Sequence, residues 1–589
     1  MSMQDEGSAP RRAENPPHAV GVVLPGGRAG AAGPRLRLVL LLVFVAGWAL
    51  AAIKPPLAEV HWDAPIMLYA SKRVVDTDFH ANFVRDAAEV ARQVEQADWD
   101  RSVSYFPEPF WVFTKLGHLS LLAGFVALGD TPEAGLRIAH LGFGALLAAS
   151  VAMAMLLARN LALLRGWSGS PRSLAAGLAV AGLSCVLSGI FWYMSGNFVS
   201  EVPALFFVCA ALLALSAALR RGSRALAALS GVLLFAAYWC RPDFAWVAIC
   251  VALLVLLAEI RRPRPRSVTL MPILVGAGFA ILGFAVYAWI YHPLADPRLY
   301  AVFAGLLRSY APNPPEHFFR LFVISGGLLW IGVLLALFMR PWSRGVGFGL
   351  AWLGLTGLPW LVQAMLGSAA QSRMFLMAWP PLFLLAALGW AALFERARHV
   401  RRPAGAATLV TLAGSLALVS LPASYAVLED MPGGWRLQHL RRWLVPDLVE
   451  RRSYPLGTLR AMRDEIHAGG EPALVIVDAR WRARGNLDIL RFLGPPHGPA
   501  GVDLTLVPWP HARWENPDSP AREGEPVVFR SAIAAIERRD WTQGRLRLFA
   551  LSDDADPDWS RALAADARIG RVVTGDGLAL MELVPDPRP

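Results

Sequence analysis

Between Lys54 and Lys115 the chain carries a long polar stretch with the makings of chemistry: carboxylates at Glu59, Asp63 and Glu108, cations at Lys72, Arg73 and Lys115, and aromatics at Trp62, Tyr69, Tyr105 and Trp111. Further along, ionisable residues recur beside apolar runs, as Glu201, as Arg241 with Asp243, and as Arg373. An arginine offers a planar fork that matches phosphate oxygens. A held carboxylate takes the proton of an attacking hydroxyl or amine. Together they suit transfer of a group from a lipid-linked phosphate, whose leaving oxygen needs cationic stabilisation.

The elements that must position these residues are membrane helices. Of the 589 residues, 55% are hydrophobic and 17% charged, with a mean hydropathy of +0.42. An ordinary soluble protein is about 25% charged, so this chain lacks the polar residues to coat a water-facing surface. Apolar runs of roughly 18 or more residues recur from 36–53 to 404–427, the signature of a polytopic α-helical membrane protein. The net charge of +11 comes largely from arginines between those runs, which serves membrane orientation and gives no reason to expect nucleic acid as a partner. Cys185, Cys209, Cys240 and Cys250 all lie in or beside apolar runs and read as packing thiols. His61 and His80 are too isolated to suggest a metal site. Residues 1–35 read as a disordered cytoplasmic tail, and 36–53 as a retained signal anchor.

Charge asymmetry decides the path. The basic tail before the first run places that end inside, so the polar loop spanning 54–133 is outside. The next run, 116–128, is short. If it does not cross, the loops predicted inside carry the arginine clusters at 159–172, 220–224, 261–266, 340–344 and 396–402. If it does cross, every later loop inverts and the rule fails at each. The expectation is therefore about eleven spanning helices, with 110–128 lying on or dipping into the outer leaflet. The transmembrane domain then covers 36–429, and an odd number of crossings puts residues 430–589 outside. There the composition shifts to short apolar stretches alternating with helical patterns: strands at 473–479, 504–509, 545–552 and 578–584, with a helix at 486–493. That pattern predicts a C-terminal extracytoplasmic α/β domain. On this path Asp63, Glu108, Lys115, Glu201, Arg241 and Arg373 all face the outer surface, whereas a transporter would place its charges near the bilayer midplane.

A first span, an outer loop with an early Asp, interfacial helices, many further spans and an outer C-terminal domain together resemble the GT-C fold of integral-membrane glycosyltransferases. The resemblance is to the protein O-mannosyltransferase and lipid A aminoarabinose transferase superfamily, over roughly residues 36–395. The segment HWDAP places Asp63 where that family keeps its catalytic Asp, although Ala64 breaks the family's Asp-Glu pair. YFPEPFW at 105–111 is similar to the family's Lys-Pro-aromatic segment, with Glu108 where a phosphate-binding Lys is usual and Lys115 about two helical turns on. SEVPALFF at 200–207, with Glu201 as the acid, resembles an Asp-Pro start to a spanning helix. CRPD at 240–243 resembles an Arg-bearing outer turn, and SRMFLMAWPP at 372–381 an Arg-Tyr segment with Phe375 in place of Tyr.

The resemblance implies an inverting transfer of one sugar from a polyprenyl-phosphate donor to a lipid, glycan or protein acceptor, at the outer face of a bacterial-type inner membrane. Asp63 and Glu201 are the expected catalytic carboxylates, and Arg241, Arg373, Lys115, Glu108, Tyr69 and Lys72 the expected substrate-binding residues. No cofactor is required by a monophosphate donor, while a pyrophosphate donor would bring in a divalent metal. Two alternatives stay open: a ligase or polymerase using pyrophosphate-linked oligosaccharides, and a non-enzymatic transporter or assembly protein. Each residue also has a plainer reading, as a helix cap at Asp63, a carboxylate offsetting the helix dipole at Glu201, or an interfacial anchor at Arg373.

Overall fold

The structure, a computed structural model, describes residues 34–58, 60–61, 64–76, 115–165, 167–259, 266–290, 327–338, 344–365, 376–399, 451–452, 454–468, 473–477, 481–494, 507–508, 547–553 and 568–585. Helix α1 (Pro34–Ile53) is followed by a two-residue strand, β1 (Val60–His61), then by α2 (Ala64–Asp76) and α3 (Leu116–Ala127). A long α4 (Pro132–Leu164) starts where the Thr131 hydroxyl accepts from the Ala134 amide at 3.1 Å, with proline in the first turn. Then come α5 (Pro171–Val186), α6 (Gly189–Met194), α7 (Glu201–Arg221), α8 (Arg224–Cys240), α9 (Pro242–Glu259), α10 (Arg266–Ile290), α11 (Gly327–Phe338), α12 (Arg344–Met365) and α13 (Trp379–His399).

Among the described residues, four segments are long and apolar enough to cross a membrane: Leu36–Ile53, Pro132–Leu164, Glu201–Arg221 and Leu376–Arg398. Leu41 on α1, Leu274 and Ile281 on α10, and Phe338 on α11 stay exposed on the helix surfaces. Such a surface is costly in water and costs nothing against acyl chains. Helix contacts rely on small residues, as lipid-facing bundles do. A Cβ on Gly389 of α13 would lie 1.9 Å from the Gly332 carbonyl oxygen of α11, so only glycine permits that approach.

Helix α3 settles onto one end of this bundle. Its twelve residues reach about 18 Å, short of the ~30 Å hydrocarbon core. At its start, a Cβ on Gly117 would lie 2.9 Å from the Trp239 backbone, at the C-terminal end of α8. At its finish, Phe125 and Val126 pack against Gly142 and Gly135 in the first turns of α4. The end of α1 is there too, with the His140 Nε2 of α4 2.8 Å from the Ala51 carbonyl oxygen. Both ends of α3 therefore pack near the same end of the bundle. The opposite end carries Arg159, Arg165, Arg220, Arg221, Arg224 and Arg398. The N-terminal tail through Gly33, the loop at 292–320 and the run at 404–427 lie outside the described residues.

The C-terminal part comprises β2 (Arg451–Arg452), α14 (Leu456–His467), β3 (Ala473–Val477), α15 (Trp481–Leu493), β4 (Val507–Pro508), β5 (Arg547–Asp553), β6 (Arg568–Gly575) and β7 (Leu578–Val584). Five strands form one sheet in the order β4-β3-β5-β7-β6, parallel around β3 and antiparallel from β5 through β7 to β6. The β6–β7 hairpin turns on Asp576 and Gly577, both at positive φ (50° and 72°), the Asp-Gly signature of a tight primed turn. This unit is fastened to the bundle end that carries α2 and α3. Strand β1 pairs antiparallel with β2, and the Tyr454 amide donates to the Leu57 carbonyl at 3.1 Å. Arg463 of α14 reaches Glu133, in the first turn of α4, at 2.7 Å.

Candidate active site

Helix α7 begins at Glu201, whose carboxylate sits in the first turn, where free amides favour negative charge. Helices α8 and α9 meet at Arg241, which is extended (φ −163°, ψ 107°) because Pro242 starts the next helix. The two side chains meet inside the protein. Arg241 Nη1 donates to Glu201 Oε1 at 2.7 Å and to Ser200 Oγ at 3.2 Å, and that hydroxyl lies 3.4 Å from Glu201 Oε2. The Glu201 side chain is 0% exposed and that of Arg241 8%. The guanidinium also lies over the Phe244 ring, 5.6 Å from its centre. Burying such a pair costs several kcal/mol per ion before any return, which makes it a poor choice for stability alone and directs attention to function.

Lys115 caps the start of α3 without a side-chain capping bond. One turn on, the fully buried His118 ring lies within electrostatic reach of Lys115, Glu201 and Arg241. The close approach of Gly117 to Trp239 and Cys240 sets this turn beside Arg241. A second buried cation, Lys54 at the end of α1, donates to the carbonyls of Trp192 (2.9 Å) and Tyr193 (3.2 Å) and lies over the Trp192 ring. It ties the first span to the loop that leads into Glu201.

Two small apolar cavities, each about 10 Å³, lie near the pair. One is lined by Leu205, one turn along α7 from Glu201, by Phe244, whose ring lies against the guanidinium, and by Trp352 and Pro380. The other shares Leu205 and Pro380 and reaches Cys209 and Phe383.

Of the expected site residues, the structure brings Glu201 and Arg241 into contact, and it places Lys115 at the start of the α3 turn that packs against Trp239 and Cys240. Tyr69 and Lys72 sit on α2 and engage α15: Arg491 stacks 5.1 Å over the Tyr69 ring, and Lys72 donates to the Gly494 carbonyl. Asp63, Glu108 and Arg373 lie outside the described residues. Asp63 falls between β1 and α2, and Arg373 just ahead of Leu376, where the described chain resumes toward Met377 and Pro380, which line the first cavity. Sequence reasoning missed Lys54 and His118. His118 had a signal, an imidazole inside the apolar run 116–128. Among the described residues, no group of three or more His, Cys, Asp and Glu side chains is placed to hold a metal ion.

No protein-family model matches the chain, and no curated protein matches it in sequence. Among solved structures, ArnT from Cupriavidus metallidurans bound to undecaprenyl phosphate is similar over 94% of this chain and 98% of that one, with a TM-score of 0.51 and 14% identity. The fold is GT-C. Two further similar structures are the Archaeoglobus fulgidus oligosaccharyltransferase in its apo form (94% of this chain, 74% of that one, 11% identity, TM-score 0.46) and the mycobacterial arabinofuranosyltransferase AftD (95% and 42%, 17% identity, TM-score 0.45). Within this GT-C fold, the Glu201–Arg241 pair, the α3 turn with Lys115 and the β1–α2 segment occupy one end of the bundle, and the C-terminal sheet is fastened to that same end.

Proposed function

We propose that this chain is a membrane glycosyltransferase that moves a sugar from a polyprenyl-phosphate donor to a lipid, glycan or protein acceptor. The observation that carries the reading is the buried Arg241–Glu201 pair, close to the apolar side chains of Leu205 and Phe244, in a GT-C fold. The prenyl tail lies along Leu205, Phe244 and Pro380, and its phosphate comes to Arg241, Lys115 and Arg373. Asp63 takes the proton from the acceptor hydroxyl or amine as the acceptor atom bonds to the sugar's anomeric carbon. The bond from that carbon to the phosphate oxygen breaks, and the electron pair leaves with the polyprenyl phosphate, where the cations stabilise it. Glu201 holds the Arg241 fork in place, so that the guanidinium does not reorganise as charge develops. Tyr69 and Lys72 fasten α2 to the C-terminal unit at Arg491 and Gly494.

The arginines at the far end put that end in the cytoplasm. The site and residues 430–589 then face the outside of the inner membrane, and the bundle of 36–429 crosses about eleven times. Purified protein in nanodiscs, given radiolabelled polyprenyl-phosphate sugars and a membrane extract as acceptor, tests the reading. Wild type releases label from one donor, and Asp63→Asn releases almost none. Absence of release with every monophosphate donor, from folded protein, sinks it and favours a pyrophosphate-linked oligosaccharide as donor or a non-enzymatic role.

A further inference from the structure

His118 is a buried polar group at this end of the bundle that the scheme above leaves unused. It is 0% exposed; neither ring nitrogen has a partner in good hydrogen-bond geometry, and the backbone group that bears on the ring is that of Phe198. Its ring meets Phe143 edge-on at 5.6 Å, and Phe143 in turn meets Phe198 at 5.7 Å, so two aromatic rings wall one side. The charged groups that bear on it are Lys115, Glu201 and Arg241. A buried donor left unmade costs stability, and native interiors seldom accept that without a use. Packing alone does not explain the residue either, since a phenylalanine would fill the same wall without nitrogens to satisfy.

From its two unfilled nitrogens beside Lys115 and Arg241, we infer that His118 is a further substrate-positioning residue, donating a ring N–H to the phosphate of the bound lipid. Burial, and after it the Lys115 cation, favours the neutral imidazole. A neutral ring carries one donor and one acceptor nitrogen. The phosphate takes the donor, and the acceptor nitrogen remains for a hydroxyl of the transferred sugar. Lys115 and Arg241 supply charge, while His118 supplies a directed bond on a rigid helix, which fixes the phosphate's rotation.

This inference rests on the transferase reading, and binding separates the two. The probes are polyprenyl phosphate and uncharged polyprenol, titrated into wild type, His118→Phe and His118→Gln in nanodiscs, with thermal unfolding as the check on folding. His118→Phe is expected to weaken polyprenyl phosphate at least tenfold and leave polyprenol unchanged, and His118→Gln, which keeps an N–H, to recover much of the loss. A folded His118→Phe that binds polyprenyl phosphate like wild type overturns the inference. So does equal weakening of both lipids, which would mark His118 as packing. If His118→Phe does not fold, wild type labelled with ¹⁵N-histidine decides. One buried imidazole signal, absent from His118→Gln, shifts on adding polyprenyl phosphate, and no shift overturns the inference. A wild type that ignores polyprenyl phosphate overturns the transferase reading itself, and the inference with it.

Discussion

Helix α7 carries a buried polar cluster at each end, and the two are built differently. Near its C-terminus, Asn160 Nδ2 of α4 donates to Ser216 Oγ at 3.2 Å, that hydroxyl donates to the Leu213 carbonyl at 2.8 Å, and Arg220 donates to Asn160 Oδ1. Those partners are mostly neutral, each is matched, and the cluster binds α4 to α7. At the N-terminus stands a full ion pair, Glu201 with Arg241, beside an imidazole whose nitrogens have no partner and near the apolar side chains of Leu205 and Phe244. The first cluster is closed and needs nothing further. The second is open in one respect, the unpartnered His118 nitrogens beside a buried charge pair, and that difference directs attention to it.

Breaking the open cluster should have the largest effect. Arg241→Met leaves a carboxylate buried without its cation, which costs about 3–5 kcal/mol. Turnover should fall by roughly 10²–10³, the scale of losing one electrostatic contact to a transition state. Adding Glu201→Leu removes the stranded charge and should restore the unfolding temperature without restoring kcat. A double variant that regains turnover would make the pair a structural element, and the two ends of α7 would then be alike.

Gly196 lies in the loop that delivers Glu201, at φ +68°, with its Cβ position 2.1 Å from His140 Cε1 and Nδ1. Gly196→Ala therefore costs about 2 kcal/mol or more, since the left-handed backbone penalises a Cβ and the ring has to move. As the loop shifts, kcat/KM should drop along with Tm. At the closed end, Asn160→Ala should cost about 1–2 kcal/mol for unpaired groups and leave kcat/KM within twofold (roughly 0.4 kcal/mol). A large kinetic loss there, at unchanged stability, would contradict the contrast.

Much of this arrangement was legible in the sequence because it follows from solvent and charge. The apolar runs, the arginine asymmetry and the short reach of 116–128 predicted a bundle with α3 confined to one end, and that is where Gly117 and Phe125 make contact. Strands β3, β5 and β7 were visible as apolar stretches. Strand β6, RIGRVVTG, was missed because it is mostly exposed and lacks a buried alternating face. Glu201 and Arg241 could be nominated separately, but their pairing depends on how α7 packs against the α8–α9 turn, a contact across forty positions that no local pattern encodes. Tyr69 and Lys72 looked like ligand contacts because the loop is polar. Their partners are on α15, more than four hundred positions away, and a sequence alone gives no sign of that register.

The smallest effect is expected at the join between the C-terminal unit and the bundle, which is charged like the open cluster. Arg463 lies between Glu133 at 2.7 Å and Asp464 at 2.8 Å, and His467 follows one turn on. Partial burial lowers the His467 pKa, and the cations of Arg463 and Lys72 lower it further, against the pull of Asp464. The folded join thus binds fewer protons than the unfolded chain, whose histidine titrates near 6.5. Its contribution to stability is fully present above about pH 6.5 and is lost as pH falls from there through the lower folded value. Hydrogen exchange in α14 and β2 should accordingly quicken between pH 7.5 and 5.5, beyond the intrinsic change, and His467→Gln should remove the excess. Equal protection at both pH values, or the same excess in His467→Gln, would assign the join's strength to its arginine pairs alone. If turnover falls as the join loosens, the C-terminal unit helps to complete the open site, and the contrast between the ends of α7 extends to the domain fastened above them.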